Sequence, residues 1–301
     1  MNTNRAEYLP HEGVMLEEIS SIIKDVPTGN FVDATYGFGS HFNLSTIHDH
    51  LNFIGFDRDL DSINNSNNVH NVYHLNFSDI YKFLSENNHL PLSGIMYDFG
   101  LSSHQIDSKH RGFSFQNNSP LDMRMDMLQD LSAASIVNNY SEEKLTKVLK
   151  SYSEDRYSNK ISKKIIESRP VLTTNELVKA IKEALPRQNP IFTEKTIRRI
   201  FQALRIEVND ELSVIKKLLE ASSQYLNKGG RLVCISYHSL EDRLVKRYIQ
   251  NGSFNEQVES DIYGNIKTSF KKIGKIVTPS EDELNKNKRS RSAKLRIAEK
   301  I

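Results

Sequence analysis

The sequence predicts an α/β fold: a parallel sheet with helices on both faces, interrupted by a helical insertion. Short apolar runs alternate with helical stretches through the first third of the chain. A fifth strand-like run returns only at Arg231–Ser236, and the long stretch before it carries helical periodicity. Strands that alternate with helices form parallel sheets, because each crossover helix packs back onto the sheet it leaves.

In chain order, the first four strands are expected at Phe31–Ala34, Asn52–Phe56, Val72–Leu75 and Ser93–Tyr97, and the Asn-rich stretch Asn64–Asn71 as a polar loop. The insertion follows. Leu145, Val148 and Leu149 share one helical face, as do Ile161 with Ile165, and Leu177 with Ile181 and Leu185. Thr173 and Glu176 have the spacing of a capping box opening the last of these helices. Val208, Leu212, Ile215, Leu218, Leu219 and Leu226 then trace one long amphipathic helix, which Gly229 is placed to terminate. These readings put a sheet domain at residues 1–106 with 206–301 and an inserted helical domain at 107–205.

With 38% hydrophobic and 26% charged residues over 301 positions, the composition is that of an ordinary soluble globular protein. No apolar run approaches the roughly 18 residues of a membrane-spanning helix. The opening residues Met1–Glu7 lack the apolar centre of a signal peptide, so a cytoplasmic location is expected. The lone Cys234 excludes an internal disulfide framework and reads as a small buried filler. No metal is expected, since no ligand cluster with suitable spacing occurs. The formal charge of +2 is unevenly spread: Lys286, Lys288, Arg289, Arg291, Lys294 and Arg296 crowd the C-terminus, and Lys160, Lys163, Lys164 and Arg169 the middle. By charge alone these read as solvated helix faces and a polar tail.

The first chemical signal is Asp33–His41, directly after the first strand, where Gly37 and Gly39 allow a sharp turn with backbone N–H groups close to a ligand. Asp57 ends the second strand, the position in a doubly wound sheet that meets ribose hydroxyls. A dinucleotide fingerprint needs a third glycine where this chain has Phe42, and no phosphate-cradling loop occurs. An acidic strand end, a short glycine turn and a ribose carboxylate suit S-adenosylmethionine better. Phe77, just beyond the third strand, is placed either to contact the adenine or to fill the core.

The fourth strand runs into Asp98–Gln105 at the carboxyl edge of the sheet. Asp98-Phe99-Gly100 has the letters of a kinase triplet, but no kinase catalytic loop accompanies it. Further stretches stand out: His11–Leu16, Arg111–Phe115, Pro120–Asp126, Phe201–Ile206, Ser236–Arg243 and Arg289–Arg296. Together with Asp33–His41 and Asp98–Gln105, in this order and over nearly the whole chain, they resemble the RsmH (MraW) family of ribosomal RNA cytosine-N4 methyltransferases. The resemblance implies a Rossmann-like class I methyltransferase sheet with an inserted helical substrate-recognition domain. It implies S-adenosyl-L-methionine as cofactor and a cytidine in the decoding region of small-subunit (16S) ribosomal RNA as acceptor. Its cofactor contacts fall on Gly39, Ser40, His41, Asp57, Phe77, Asp98 and Gln105, beside Gly37 of the turn. Two departures are visible: the family's Gly-Gly-His is here Gly39-Ser40-His41, and its Asp-Leu-Gly is Asp98-Phe99-Gly100. A residue with φ > 0 at position 40 would cost serine about 1 kcal/mol.

Asp98 has two open roles, as the acceptor for an N4 proton or as a cofactor ligand alone. His238, Ser239 and Arg243, after the fifth strand, are expected on the substrate side, with Arg243 pairing a phosphate or an internal carboxylate. Arg111, Phe113 and Phe115 suit an RNA-facing loop, or else the two aromatics pin the insertion to the sheet. Leu121–Asp126 reads as architectural, with its charges paired internally. His48, His50, His70 and His89 receive no role. A protein, DNA or small-molecule acceptor, and a non-catalytic RNA-binding factor, stay open at this stage. So does the choice between monomer and homodimer.

Overall fold

The computed structural model describes residues 13–64, 66, 69–77, 79–186, 189–255 and 266–301. Residues 1–12, with His11 and Glu12 of the first motif, and the segment 256–265 lie outside them. Among the described residues seven strands form one sheet: β1 (Gly29–Asp33), β2 (Leu51–Asp57), β3 (Val72–His74), β4 (Leu92–Asp98), β5 (Leu226–Ser236), β6 (Phe270–Val277) and β7 (Lys294–Lys300). Their spatial order is β3-β2-β1-β4-β5-β7-β6. The first five pair in parallel, while β7 runs antiparallel to β5 and β6 antiparallel to β7. This is the doubly wound arrangement that the alternating pattern predicts.

The helices in chain order are α1 (Leu16–Ile23), α2 (Leu60–Asn64), α3 (Ile80–Glu86), α4 (Ser103–Asp107), α5 (Ala133–Asn139) and α6 (Glu142–Ser153). They continue as α7 (Ser158–Glu167), α8 (Thr174–Ala184), α9 (Pro190–Asn209), α10 (Glu211–Tyr225), α11 (Ser239–Asn251) and α12 (Glu281–Lys286). Among the described residues, no helix is long and apolar enough to cross a membrane.

Two compact units result, one of residues up to Gly100 and from Leu212 onward, the other Leu101–Glu211. In the sheet unit the central strand β4 is buried over Leu92–Tyr97 and feeds both faces. On one face, Ile95 and Tyr97 join Ile80 and Leu84 of α3, Leu218 and Leu219 of α10, and Val245 and Ile249 of α11. On the other, Met96 joins Phe31, Val233, and Ile19 and Ile23 of α1. Continuous burial of both faces gives parallel strands their unbroken apolar sequences. Cys234 is a filler in the first of these cores, where burial pushes its thiol pKa up.

The helical unit has its own core. Leu145 and Leu149 of α6, Ile161 and Ile165 of α7, and Leu177 and Ile181 of α8 meet Ile200, Phe201 and Leu204 of α9 there. The capping box at Thr173 forms: its side chain accepts from the Glu176 amide, and Glu176 reaches back to the Thr173 amide.

Three expectations change. The helix expected to run on through Val208 and Leu226 breaks at Asp210, which caps α9 in the left-handed conformation (φ 48°) that aspartate tolerates better than most residues. The limit expected at residue 206 therefore falls inside α9. Gly229 ends no helix: α10 stops at Tyr225, and Gly229 (φ 82°) lies inside β5, where its pairing with β4 shifts register between Leu92 and Gly94. The C-terminal basic run is no tail either. Lys294 and Arg296 belong to β7, with Leu295, Ile297 and Ala298 buried between β5 and β6.

Candidate active site at the carboxyl edge of the sheet

Parallel pairing brings the ends of β1, β2 and β4 to one edge, and each ends in aspartate: Asp33, Asp57 and Asp98. Asp57 Oδ2 accepts the Gly37 amide at 2.7 Å, and Oδ1 accepts the Asp59 amide at 2.8 Å, so the turn and the second strand end are locked together. Gly39 has φ 77°, and a Cβ there would lie 2.7 Å from the Tyr36 hydroxyl, so only glycine fits. Ser40 is not among the residues with positive φ, so serine carries no left-handed penalty where the family has glycine.

Asp33 is fully buried. Its Oδ1 accepts the Thr35 amide at 3.0 Å, while Oδ2 has no hydrogen-bond partner among the described residues. Burial raises the Asp33 pKa to about 6, opposed by the nearby His41. Asp57 is pushed up to about 6 as well, again by burial first. His41 is buried, with Nε2 2.9 Å from the Val14 carbonyl oxygen. A carbonyl only accepts, so Nε2 carries the hydrogen and Nδ1 is left for another partner.

Asp98 stands at the end of β4. Its amide donates to Thr35 Oγ1 at 2.7 Å, Oδ1 accepts the Gly100 amide at 3.1 Å, and Oδ2 accepts the Tyr237 hydroxyl at 3.3 Å. Burial raises its pKa, with His41 and these hydrogen bonds pulling the other way. Burial also holds the Tyr237 phenol far above its usual pKa, so it stays a donor. A Cβ on Gly100 would come 2.6 Å from the Tyr237 ring, which makes that position glycine's by close approach. Sequence reasoning missed Thr35 and Tyr237. Their neighbours Asp33 and His238 drew the attention, and only pairing of β1, β4 and β5 brings both hydroxyls to Asp98.

Phe77 is half-buried beyond β3, with the Arg58 guanidinium carbon 5.2 Å from its ring centroid, and it packs against the core under α3. His238 is the N-cap of α11, accepting the Glu241 amide, and its Nε2 lies 2.9 Å from Glu241 Oε1. Glu241 is fully buried and also accepts the Tyr237 amide at 2.7 Å. His238 is thus fixed at the same edge, while Ser239 and Arg243 are exposed on the first turns of α11. His48, given no role, is buried and hydrogen-bonded to Ser20 at 2.9 Å.

In the helical unit Gln105 is buried and closes a capping box with Ser102, accepting the Ser102 amide at 3.1 Å. Arg111 and Phe113 do not form an RNA-facing loop. Arg111 is buried and donates to the carbonyls of Arg124 (3.1 Å) and Met125 (2.8 Å), and Phe113 is part of the helical core. Phe115 packs edge-on against Phe201. Leu121–Asp126 is self-satisfied: Arg124 grips Asp122 through Nε and Nη2 at 2.8–3.1 Å. Asn209, which the sequence did not single out, accepts the Met125 amide at 2.8 Å and donates to the Met123 carbonyl at 2.8 Å.

A sequence model of the MraW methylase family matches residues 8–301. The ribosomal RNA small subunit methyltransferase H of Cytophaga hutchinsonii is 42% identical over 300 residues, covering 96% of this chain and 99% of that protein. Its namesake in Flavobacterium johnsoniae is 41% identical over 306 residues (99% and 100%), and that of Clostridioides difficile 39% over 310 residues (97% and 99%).

Proposed function

The chain belongs to the MraW methylase family, and on that footing we propose that it methylates the N4 amine of a cytidine in the decoding region of small-subunit ribosomal RNA. Its methyl donor is S-adenosyl-L-methionine, and its partner is the RNA of the small ribosomal subunit. The observation that carries the reading is the row of three strand-end carboxylates, one of which keeps a buried oxygen without a hydrogen-bond partner among the described residues. Such a site suits a ligand with cationic groups and ribose hydroxyls. When bound, S-adenosylmethionine supplies an electrophilic methyl group.

The chain's own residues do the rest. Asp57, fixed by the Gly37 amide, is positioned to accept a pair of ribose hydroxyls. Gly37, Gly39, Ser40 and His41 form the turn beside the amino-acid end, Phe77 borders the adenine side, and Gln105 belongs to the same cofactor set in the family pattern. The cytosine amine is a weak nucleophile because its lone pair is delocalised into the ring. Holding that nitrogen in line with the methyl, near 3 Å, is chiefly a positioning task. Asp98 accepts a hydrogen bond from the amine, which localises the lone pair, and then takes the proton. Its raised pKa makes it a better base than an ordinary carboxylate, and Tyr237 and Gly100 hold its two oxygens in place. His238, with Ser239 and Arg243 beside it, lies on the substrate side, and the helical unit 101–211 serves substrate recognition.

The test incubates purified protein with labelled S-adenosylmethionine and unmodified small subunits, followed by nucleoside mass spectrometry. N4-methylcytidine at one site, with a rate reduced about 10²–10⁴-fold by Asp98→Ala, is the expected result. Cofactor binding without any methylated nucleoside would sink the reading. Full methylation by Asp98→Asn at saturating cofactor would remove the carboxylate from the proton transfer.

A further inference from the structure

A small cationic crevice lies in the sheet unit between α11 and β6, the edge strand among the described residues. Among the described residues it is lined by Lys246 and Ile249 of α11, Lys272 and Lys275 of β6, and Arg296 and Ile297 of β7, with no carboxylate among those that line it. The nearest acid on α11, Asp242, is already neutralised: Arg296 Nε and Nη2 reach it at 2.7 and 3.1 Å, and Lys294 at 3.6 Å. Lys246, Lys272 and Lys275 are exposed.

Two features give this groove a direction. On α11 the exposed residues Ser239, Arg243, Lys246 and Gln250 follow helical spacing, so they form one stripe of about 16 Å that begins next to His238. Across the sheet, Asp98 pairs with Ile235, Ile235 with Leu295, and Leu295 with Val277, so the end of β6 shares a row with the proposed base. At roughly 4.8 Å per strand, that row places the strand end about 14 Å from Asp98. The register of β6 breaks between Ile273 and Val277, and Gly274 (φ 62°) has open space around it, so this part of the edge is bent and accessible.

Lysines on an edge strand have a bland use, since they keep sheets from pairing edge to edge. That accounts for Lys272 and Lys275 but not for Lys246, which projects from a helix. We infer that the groove between α11 and β6 is a phosphate track that holds the RNA strand flanking the target nucleotide, with Lys246, Lys272 and Lys275 as its contacts. The inference rests on the RNA-methylating reading above. It assigns these lysines backbone neutralisation, which gives affinity and register without base specificity.

The test compares wild-type protein with the triple variant Lys246→Glu/Lys272→Glu/Lys275→Glu, which keeps the edge charged and so keeps its protection against pairing. A control, Lys82→Glu/Lys217→Glu/Lys228→Glu, makes the same change in net charge elsewhere on the sheet unit. Folding is checked by circular dichroism and S-adenosylhomocysteine affinity, and a Lys→Gln version of the groove triple serves if the Glu version folds poorly. With unmodified small subunits, the groove variant is expected to raise KM about tenfold or more, leave kcat unchanged, and lower the slope of log affinity against log salt by roughly one per lysine. The control is expected to keep wild-type KM and slope. A groove variant with wild-type KM and salt slope overturns the track, and so does an equal loss in the control, which would mean general charge attraction. Self-association on charge removal in the Gln variant, with RNA affinity intact, would leave the lysines as edge protection alone. Wild-type protein that binds cofactor but neither methylates nor retains subunits would remove the underlying reading, and the track with it.

Discussion

The loop Leu121–Asp126 of the helical unit and the strand-end row Asp33, Asp57 and Asp98 of the sheet unit are both rich in carboxylates, yet their polar atoms fare differently. In the loop each charge meets a partner of opposite sign or a backbone group: Asp122 binds Arg124, the Asp126 carboxylate accepts the Leu128 amide, and Asn209 ties Met123 to Met125. At the strand ends burial pushes the carboxylates towards protonation and outweighs the nearby His41 and Arg58, and one oxygen of Asp33 has no hydrogen-bond partner among the described residues. A polar group whose partners are all internal stabilises the fold. One left underpartnered in a buried place costs stability, and under the proposed function the cofactor is its partner.

The largest effect is expected at Asn209. Asn209→Ala strands a buried amide and a buried carbonyl, so unfolding free energy should fall by about 3–5 kcal/mol in chemical denaturation. A loss below about 1 kcal/mol would mean the loop does not depend on it. Arg111→Ala should cost about 2–3 kcal/mol through the carbonyls of Arg124 and Met125 while leaving RNA affinity per folded molecule unchanged. The reverse pattern, intact stability with weaker RNA binding, would restore the RNA-facing role.

At the strand ends the sign should invert. Asp33 titrates near 6 in the folded chain against an ordinary 3.8, so between those values the folded state holds a proton that the unfolded state has lost. Stability therefore falls as pH rises from about 4 to about 6, and stays lower above that. Asp33→Asn keeps an oxygen for the Thr35 amide and removes the buried charge. It should stabilise the cofactor-free protein by about 2 kcal/mol at pH 7.5, hardly at all at pH 4, and weaken cofactor binding. Equal effects at both pH values would locate the change in packing. Ser40→Gly should be the smallest: because position 40 has no positive φ, cofactor affinity should stay within about twofold. A large gain on restoring glycine would mean the serine side chain obstructs the ligand.

The pattern reading found the first four strands, the apolar faces of α6, α7 and α8, and the Thr173 cap because each depends on neighbours within a few residues. The place of Asp57 at the end of the second strand was legible for the same reason. The reading failed where charge masked burial. Lys294 and Arg296 in β7 read as a polar tail because their charges, paired with Asp242, alternate with the residues that fill the sheet. Arg111 read as an RNA contact because an arginine's carbonyl partners, 13 and 14 residues away, leave no trace in its own motif.

By itself, then, the sequence determined the family, the α/β class, the acids that end β2 and β4 and the existence of a helical insertion, all carried by local periodicity and contiguous motifs. Tertiary structure alone decided that Thr35 and Tyr237 serve Asp98, that Arg111 and Asn209 are internal braces, and that lysines from α11 and β6 line one groove. Those facts depend on which distant segments pack together, and packing is settled by the whole core at once rather than by any stretch of chain that can be read in isolation.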